Sequence, residues 1–199
     1  MSPAAQQTLQ RTVERPNQFG ASRSASISLV VAGIMGLVAS AVLLVEKIAL
    51  LQNPFYVPSC SINAVLSCGT IMTSAQAEVF GFPNPVLGVA AFPVVAAAGA
   101  ALLAGARVDP WAWWGLLAGC VAGLVFVHWL IVQSVFVIGA LCPYCLVAWI
   151  CTAVATLAVA AALAAAGKLP RALRTWAPTL VVAWSGAVAL VVAFGLPLR

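Results

Sequence analysis

An all-α integral membrane protein with five spanning helices is the fold class that this 199-residue sequence predicts. Three observations predict it. Hydrophobic residues make up 64% of the chain and charged residues only 7%, far from the roughly 45–50% apolar usage of soluble domains. A chain this short leaves much of its surface outside any core, so lipid must stand where water would. The apolar residues also fall into five long stretches, and the nine Lys and Arg lie between them without any run that would grip phosphates. A soluble globule, a disordered chain, a collagen-like fibre, a small disulfide-stapled scaffold and a nucleic-acid binder are excluded on these grounds.

Residues 1–25 are polar, carry Arg11, Arg15 and Arg23 against Glu14, and read as a tail. The first span covers residues 27–51. It is uncharged from residue 27 to residue 45, about 19 residues, which at about 1.5 Å per residue nearly matches a hydrocarbon core of about 30 Å. That is too long for the apolar region of a signal peptide, and no small-x-small cleavage site precedes a soluble mature domain. Residues 52–84 form a long connection. Within it residues 70–80 predict a short lid helix resting Ile71, Met72, Val79 and Phe80 on the membrane face, held by Gly81, Phe82 and Pro83. Gly69, directly after Cys68, leaves that cysteine's segment flexible. Asn84 as N-cap and Pro85 at the first helical position open the second span, residues 85–106. Asp109-Pro110 repeats the signal before the third, residues 111–136, where Trp111, Trp113 and Trp114 suit the headgroup level. The fourth span covers residues 145–166 and the fifth residues 178–196. Each is apolar all round, as lipid-embedded helices are.

Five spans put the chain ends on opposite sides, and the positive-inside rule chooses between the two orientations. With the N-terminus inside, the cytoplasmic side receives Arg11, Arg15, Arg23, Arg107, Lys168, Arg171 and Arg174, leaving only Lys47, beside Glu46, and Arg199 outside. Residues 52–84 and the turn at 137–141 then face outward.

Cys60 and Cys68 lie in the first outward connection, and Cys142 and Cys145 form C-P-Y-C between the third and fourth spans. All four share the non-cytoplasmic side, where disulfides are permitted. Cys120 and Cys151 sit inside spans and read as small buried hydrophobes. In C-P-Y-C at a helix start, the spacing brings two sulfurs within bonding reach, Pro143 suits the first turn, and the positive end of the helix favours a thiolate, the attacking species in disulfide exchange. Two blander readings stay open: a four-thiolate zinc site, although seven residues between Cys60 and Cys68 is not a zinc-knuckle spacing, and a structural loop disulfide beside an idle C-x-x-C. His128 and Gln133, polar groups within the third span, read as interhelical hydrogen-bonding residues.

Three motifs in order give the chain a family likeness: a cysteine pair ending in S-C-G (Ser67, Cys68, Gly69), F-G-F-P-N-P-x-L-G at residues 80–88, and A-L-C-P-Y-C-L at residues 140–146. Over residues 27–163 the sequence resembles bacterial members of the vitamin K epoxide reductase family. The resemblance implies a four-helix transmembrane bundle enclosing a quinone near the outer leaflet, with the fifth span as a peripheral helix. It implies three regions: a cytoplasmic tail at 1–25, a catalytic bundle at 26–166 with the outward redox loop at 52–84, and a cytoplasmic connection with the fifth helix at 167–199. DsbB-class quinone reductases carry their C-x-x-C in the first outward loop and the wider pair in the second, the reverse of the order here.

The resemblance further implies a quinone-dependent thiol oxidoreductase of the bacterial cytoplasmic membrane. A DsbA-like thioredoxin-fold partner on the extracytoplasmic side would be reoxidised by a Cys60–Cys68 disulfide through attack on Cys60. Cys68 would attack a Cys142–Cys145 disulfide at Cys142, and Cys145, nearest the quinone, would pass on two electrons. The quinone is of menaquinone or ubiquinone type. Asn84 matches the family asparagine that hydrogen-bonds a quinone carbonyl, and Trp149 stands where animal enzymes have a quinone-contacting tyrosine. Ser61 replaces an acidic residue common among relatives, and with no fused thioredoxin-like domain after the fifth span the partner is expected to be a separate chain. No metal is expected. Vitamin K quinone or epoxide reduction uses the same four thiols and remains an alternative, as does a non-enzymatic transporter or scaffold with structural disulfides.

Overall fold

The computed structural model describes residues 18–195 apart from residue 64; of the expected tail, residues 1–17 lie outside the described residues. Helix α1 (Arg23–Gln52) starts ahead of residue 27 because Ser22 caps it, with extended backbone and an Oγ that accepts the Ala25 N–H at 3.3 Å. Its 30 residues reach about 45 Å, more than a hydrocarbon core of about 30 Å requires. The last turns therefore carry Glu46 and Lys47 past the uncharged stretch.

The expected lid helix forms as two pieces, α2 (Cys68–Met72) and a 3₁₀ turn (Ala75–Glu78). Hydroxyls stop the first piece: Thr73 Oγ1 donates to the Gly69 and Thr70 carbonyls at 3.0 and 3.2 Å, and Ser74 Oγ to the Ile71 carbonyl at 2.7 Å. Side chains that bond locally in this way compete with the helical ladder.

Three long helices follow, α3 (Pro85–Leu103), α4 (Pro110–Val132) and α5 (Pro143–Ala165). Each opens on proline, whose missing N–H would have had no partner in the first turn. Helix α3 stops short of residue 106 because Gly105 takes φ 89°, a left-handed terminus open to glycine. Asn84 is not its side-chain cap. Its backbone is already right-handed helical, at φ −53° and ψ −33°, and its amide turns toward the lid. Helix α4 runs on into a π-helical turn (Gln133–Ile138), closed by Gly139 at φ 73°. Helix α6 (Ala172–Gly195) begins ahead of residue 178 and passes through Pro178. One missing donor bends such a helix rather than ending it; residue 196 lies outside the described residues.

Four of these helices, α1, α3, α4 with its π turn, and α5, are long and apolar enough to cross a membrane, and a shorter apolar helix spans Thr175–Val191 within α6. The chain is an all-α membrane protein. Among the described residues the only β pairings are isolated bridges, Phe19 with Val108 and Leu66 with Leu141.

Glycine brings α1 and α3 together. A Cβ on Gly33 would stand 2.5 Å from the Ala96 backbone nitrogen, and one on Gly99 2.7 Å from that of Val30. Close backbone approach of this kind is how helices associate in lipid, where no hydrophobic drive separates protein from solvent. Helix α5 is the most enclosed, packing Ala155, Val159, Ala162 and Leu163 into a core shared with Leu29 of α1 and Trp113 and Cys120 of α4. Helix α6 leans on α5 and the π turn from outside. Helix α3 packs on α1, and α4 on α5, so these two consecutive helices face one another across a cavity. At the end of the bundle away from the cysteine loop, Phe19 exchanges backbone hydrogen bonds with Val108 and stacks on Trp113 at 5.4 Å.

Candidate functional site

The loop after α1 is built from local side-chain bonds. Asn63 Oδ1 accepts the Val65 and Leu66 amides at 2.9 and 2.7 Å, turning the chain back between the two loop cysteines. Ser61 Oγ accepts the Gly69 N–H at 3.1 Å and so cross-braces the loop. A parallel bridge then fixes the register against the C-P-Y-C segment: Leu141 N–H donates to the Val65 carbonyl at 2.7 Å and Ser67 N–H to the Leu141 carbonyl at 2.9 Å. Cys68 and Cys142 are the residues that follow these bridging groups on either side.

The sulfurs meet accordingly. Cys60 and Cys68 form a disulfide, with Cα atoms 5.6 Å apart, and Cys142 Sγ lies 3.0 Å from Cys68 Sγ. All three are buried, Cys68 wholly so, while Cys145 is half-buried in the cavity wall. The sulfurs of Cys60, Cys68 and Cys142 lie within 4.8 Å of one another, but a pair bonded to itself offers a metal no thiolate. Cys142 precedes α5 and is drawn below the ordinary thiol value by a hydrogen bond with the Cys145 thiol, assisted by the backbone amides of Cys145 and Tyr144 and opposed by burial. It is thus the better thiolate and lies against a disulfide sulfur.

Behind the sulfurs a cavity of about 930 Å³ opens between α3 and α4, floored by α1 and α5. Its lining is almost entirely apolar. The side-chain amides gather at the cysteine end: Asn84, Gln76 and Gln133, with Lys47 beside them. Asn84 Nδ2 donates to the Gln76 carbonyl at 2.7 Å and its Oδ1 accepts the Val79 N–H at 3.3 Å, so it pins the lid turn over the cavity. Gln133, carried by the π turn, accepts from Gln76 Nε2 at 3.4 Å; its bond goes to the lid rather than to another long helix. Trp149 is buried among Val127, Ile131, Val135 and Leu141 and forms part of the wall. His128 makes the interhelical bond, accepting from Trp184 Nε1 of α6 at 2.7 Å, which places its own proton on Nδ1, donated to the Leu124 carbonyl at 2.7 Å. Cys120 and Cys151 are buried, Cys120 in the cavity wall.

Sequence reasoning passed over the last turns of α1. Glu46 accepts from Tyr56 Oη at 2.8 Å and from the Ser59 hydroxyl and backbone N–H, and Lys47 donates to the Met72 carbonyl at 2.6 Å and pairs with Glu78 at 2.8 Å. A Glu-Lys pair ending an apolar span was the available signal, since charges there are kept only with partners. Tyr56, outside the span, has its phenol pushed up chiefly by the bond to Glu46.

A quinone ring with an apolar tail fits these residues. The cavity is long and apolar, a cysteine opens into it, and amide groups cluster at one end only. Against models of protein families, the chain matches the Vitamin K epoxide reductase family over residues 27–160. No curated protein matches it. With most of its length covered by that match, the bonded Cys60–Cys68 pair and the apolar bundle in place, the chain belongs to the vitamin K epoxide reductase family and is a multi-pass membrane oxidoreductase of a quinone-associated kind.

Proposed function

We propose that the chain is a quinone-dependent thiol oxidoreductase that reoxidises a DsbA-like thioredoxin-fold partner and so drives disulfide formation in exported proteins. The observation that carries this reading is the 3.0 Å contact between Cys142 and Cys68 of the bonded loop pair, because thiol–disulfide exchange needs an attacking sulfur against the sulfur it will bond. A structural disulfide would need no such neighbour.

The exchanges balance. A thiolate of the reduced partner attacks Cys60 Sγ, the Cys60–Cys68 bond breaks, and Cys68 leaves as thiolate. Cys68 attacks Cys142 of a Cys142–Cys145 disulfide, and Cys145 leaves. The partner's second thiol releases Cys60, which attacks Cys68 and frees Cys142. The partner has then lost two electrons and two protons, the loop pair is bonded again, and Cys142 and Cys145 are a dithiol. A bonded loop with a free C-P-Y-C pair is the state described above. A quinone bound in the cavity supplies the two-electron, two-proton sink. Cys145 opens the dithiol to that space, Asn84 keeps a second amide N–H for a carbonyl while its first holds the lid, Trp149 walls the ring, and the apolar lining keeps water out. Its species, menaquinone or ubiquinone type, is set by the membrane that hosts it.

The working unit is the bundle of residues 26–166 with its loop at 52–84, between a cytoplasmic tail at 1–25 and the connection and helix at 167–199. In this reading the chain sits in a bacterial cytoplasmic membrane, and the cation count supports an orientation with the N-terminus inside and the four cysteines outside. The test couples the full chain in lipid nanodiscs to a reduced thioredoxin-fold dithiol and a short-tailed quinone. Quinone absorbance should fall in step with thiol loss and stop with Cys142→Ser or Cys145→Ser. Unreduced quinone in the parent, together with intact cellular disulfide formation in those variants, sinks the reading.

A further inference from the structure

Two neighbouring residues at the end of α1 hold the two loop cysteines by separate routes. Glu46 binds Ser59, the residue before Cys60. Lys47 binds the Met72 carbonyl, the far end of the one-turn helix that Cys68 begins. The Lys47 side chain is 8% exposed, and its other partner, Glu78, is 40% exposed on the lid. Taking an ammonium out of water is costly unless its partners are met, so a lysine buried against the end of the Cys68 helix marks a place where position matters. The loop pair does not need it: Cys60 and Cys68 are close in sequence and already braced by Ser61, Asn63 and the Ser67 cap. The contact between Cys68 and Cys142 does, because it joins segments remote in the chain whose backbones, among the described residues, are bridged at the short Leu66–Leu141 pairing.

Resting on the redox reading of the site, we propose that Lys47 is a positioning residue for sulfur transfer: it anchors the C-terminal end of the Cys68 helix to the first span, holds Cys68 against Cys142, and through Glu78 ties the lid to the same anchor. A sulfur displaced by about 1 Å from its attack position can lose about 10²-fold in rate. Lys47→Met therefore slows Cys68–Cys142 bond formation by about that factor while closure of Cys60–Cys68 proceeds at the parental rate.

The experiment uses the full chain in detergent, with Cys120 and Cys151 replaced by Ala, and a diazenedicarboxamide as oxidant in place of quinone and partner. In one background Cys60→Ser and Cys145→Ser leave Cys68 and Cys142. In the other Cys142→Ser and Cys145→Ser leave the loop pair. In each, two thiols lose two electrons and two protons to the diazene, which becomes the hydrazine, and maleimide labelling follows bond formation. The proposal expects the first bond to slow in Lys47→Met, the second to be unchanged, and Lys47→Arg to recover most of the first rate. It is overturned if Lys47→Met forms the Cys68–Cys142 bond at the parental rate, if both bonds slow together, as general loss of structure would cause, or if Lys47→Arg is as slow as Lys47→Met. Since no quinone or partner takes part, failure here leaves the proposed function standing, and failure of that function leaves this result readable.

Discussion

The two flanks of helix α3 are built to opposite ends. Toward α1 it is sealed by glycines at backbone distance, with Gly33 against Ala96 and Gly99 against Val30. Toward α4 it faces a cavity of about 930 Å³, where a Cβ added to Gly115 or Gly119 of α4 would meet nothing within 4 Å. Glycine on the closed flank removes side chain so that two backbones can touch. On the open flank it removes side chain so that something else can enter. The comparison teaches that small residues have no single meaning in a lipid-embedded bundle: the same residue type closes one flank and leaves the other open.

The largest effect should come from breaking the closed flank. Gly33→Leu drives a side chain into the Ala96 backbone, and with no flexible group to yield the cost should exceed about 3 kcal/mol. Little monodisperse protein should survive detergent extraction and heating. Gly119→Leu sharpens the contrast: stability should stay within about 0.5 kcal/mol of the parent, while the quinone KM rises about tenfold because apolar pocket volume has been filled. Equal loss of folded protein from both substitutions would erase the distinction between the flanks.

Where the flanks meet, Asn84 decides how firmly the lid closes the open one. Asn84→Ala removes its bonds to the Gln76 carbonyl and the Val79 amide, about 1 kcal/mol of local stability at this half-exposed site. The Val79 amide should exchange with solvent about fivefold faster, with the Leu29 to Leu163 core unaltered. Protection unchanged at Val79 would mean that the lid is held from α1 alone.

How much of this could be read beforehand follows the range of the interactions. Spans, proline starts and the helix-leading C-P-Y-C are written in contiguous residues, and the structure reproduces them to within a turn except at α6. The lid reads as one helix in sequence but forms as two pieces, because Thr73 and Ser74 can cap as readily as continue and the observed hydroxyl bonds decide. Asn84 before Pro85 has the pattern of a cap, yet its side chain answers to Gln76 and Val79 of the lid. The Leu66–Leu141 bridge, the partners of Lys47 and the π turn that presents Gln133 join residues far apart in the chain, and no local pattern specifies them.

The smallest effect compares the two cysteines of C-P-Y-C. Cys142 is the thiol outside the helix, and its proton is held less tightly than an ordinary thiol's because the Cys145 thiol and two backbone amides stabilise the thiolate. The sign follows directly: a lowered value enlarges the thiolate fraction at neutral pH, so exchange between Cys142 and the loop pair should rise with pH and level off below the pH at which a free cysteine would. Cys145→Ala takes away the leading donor and leaves burial opposed only by the amides of Tyr144 and residue 145, so the inflection should move up. Ultraviolet thiolate absorbance, taken as the difference between each protein and its Cys142→Ser counterpart, reads both inflections. If they coincide, the Cys145 thiol contributes nothing, and the stability of the Cys142 thiolate must come from the end of α5 alone.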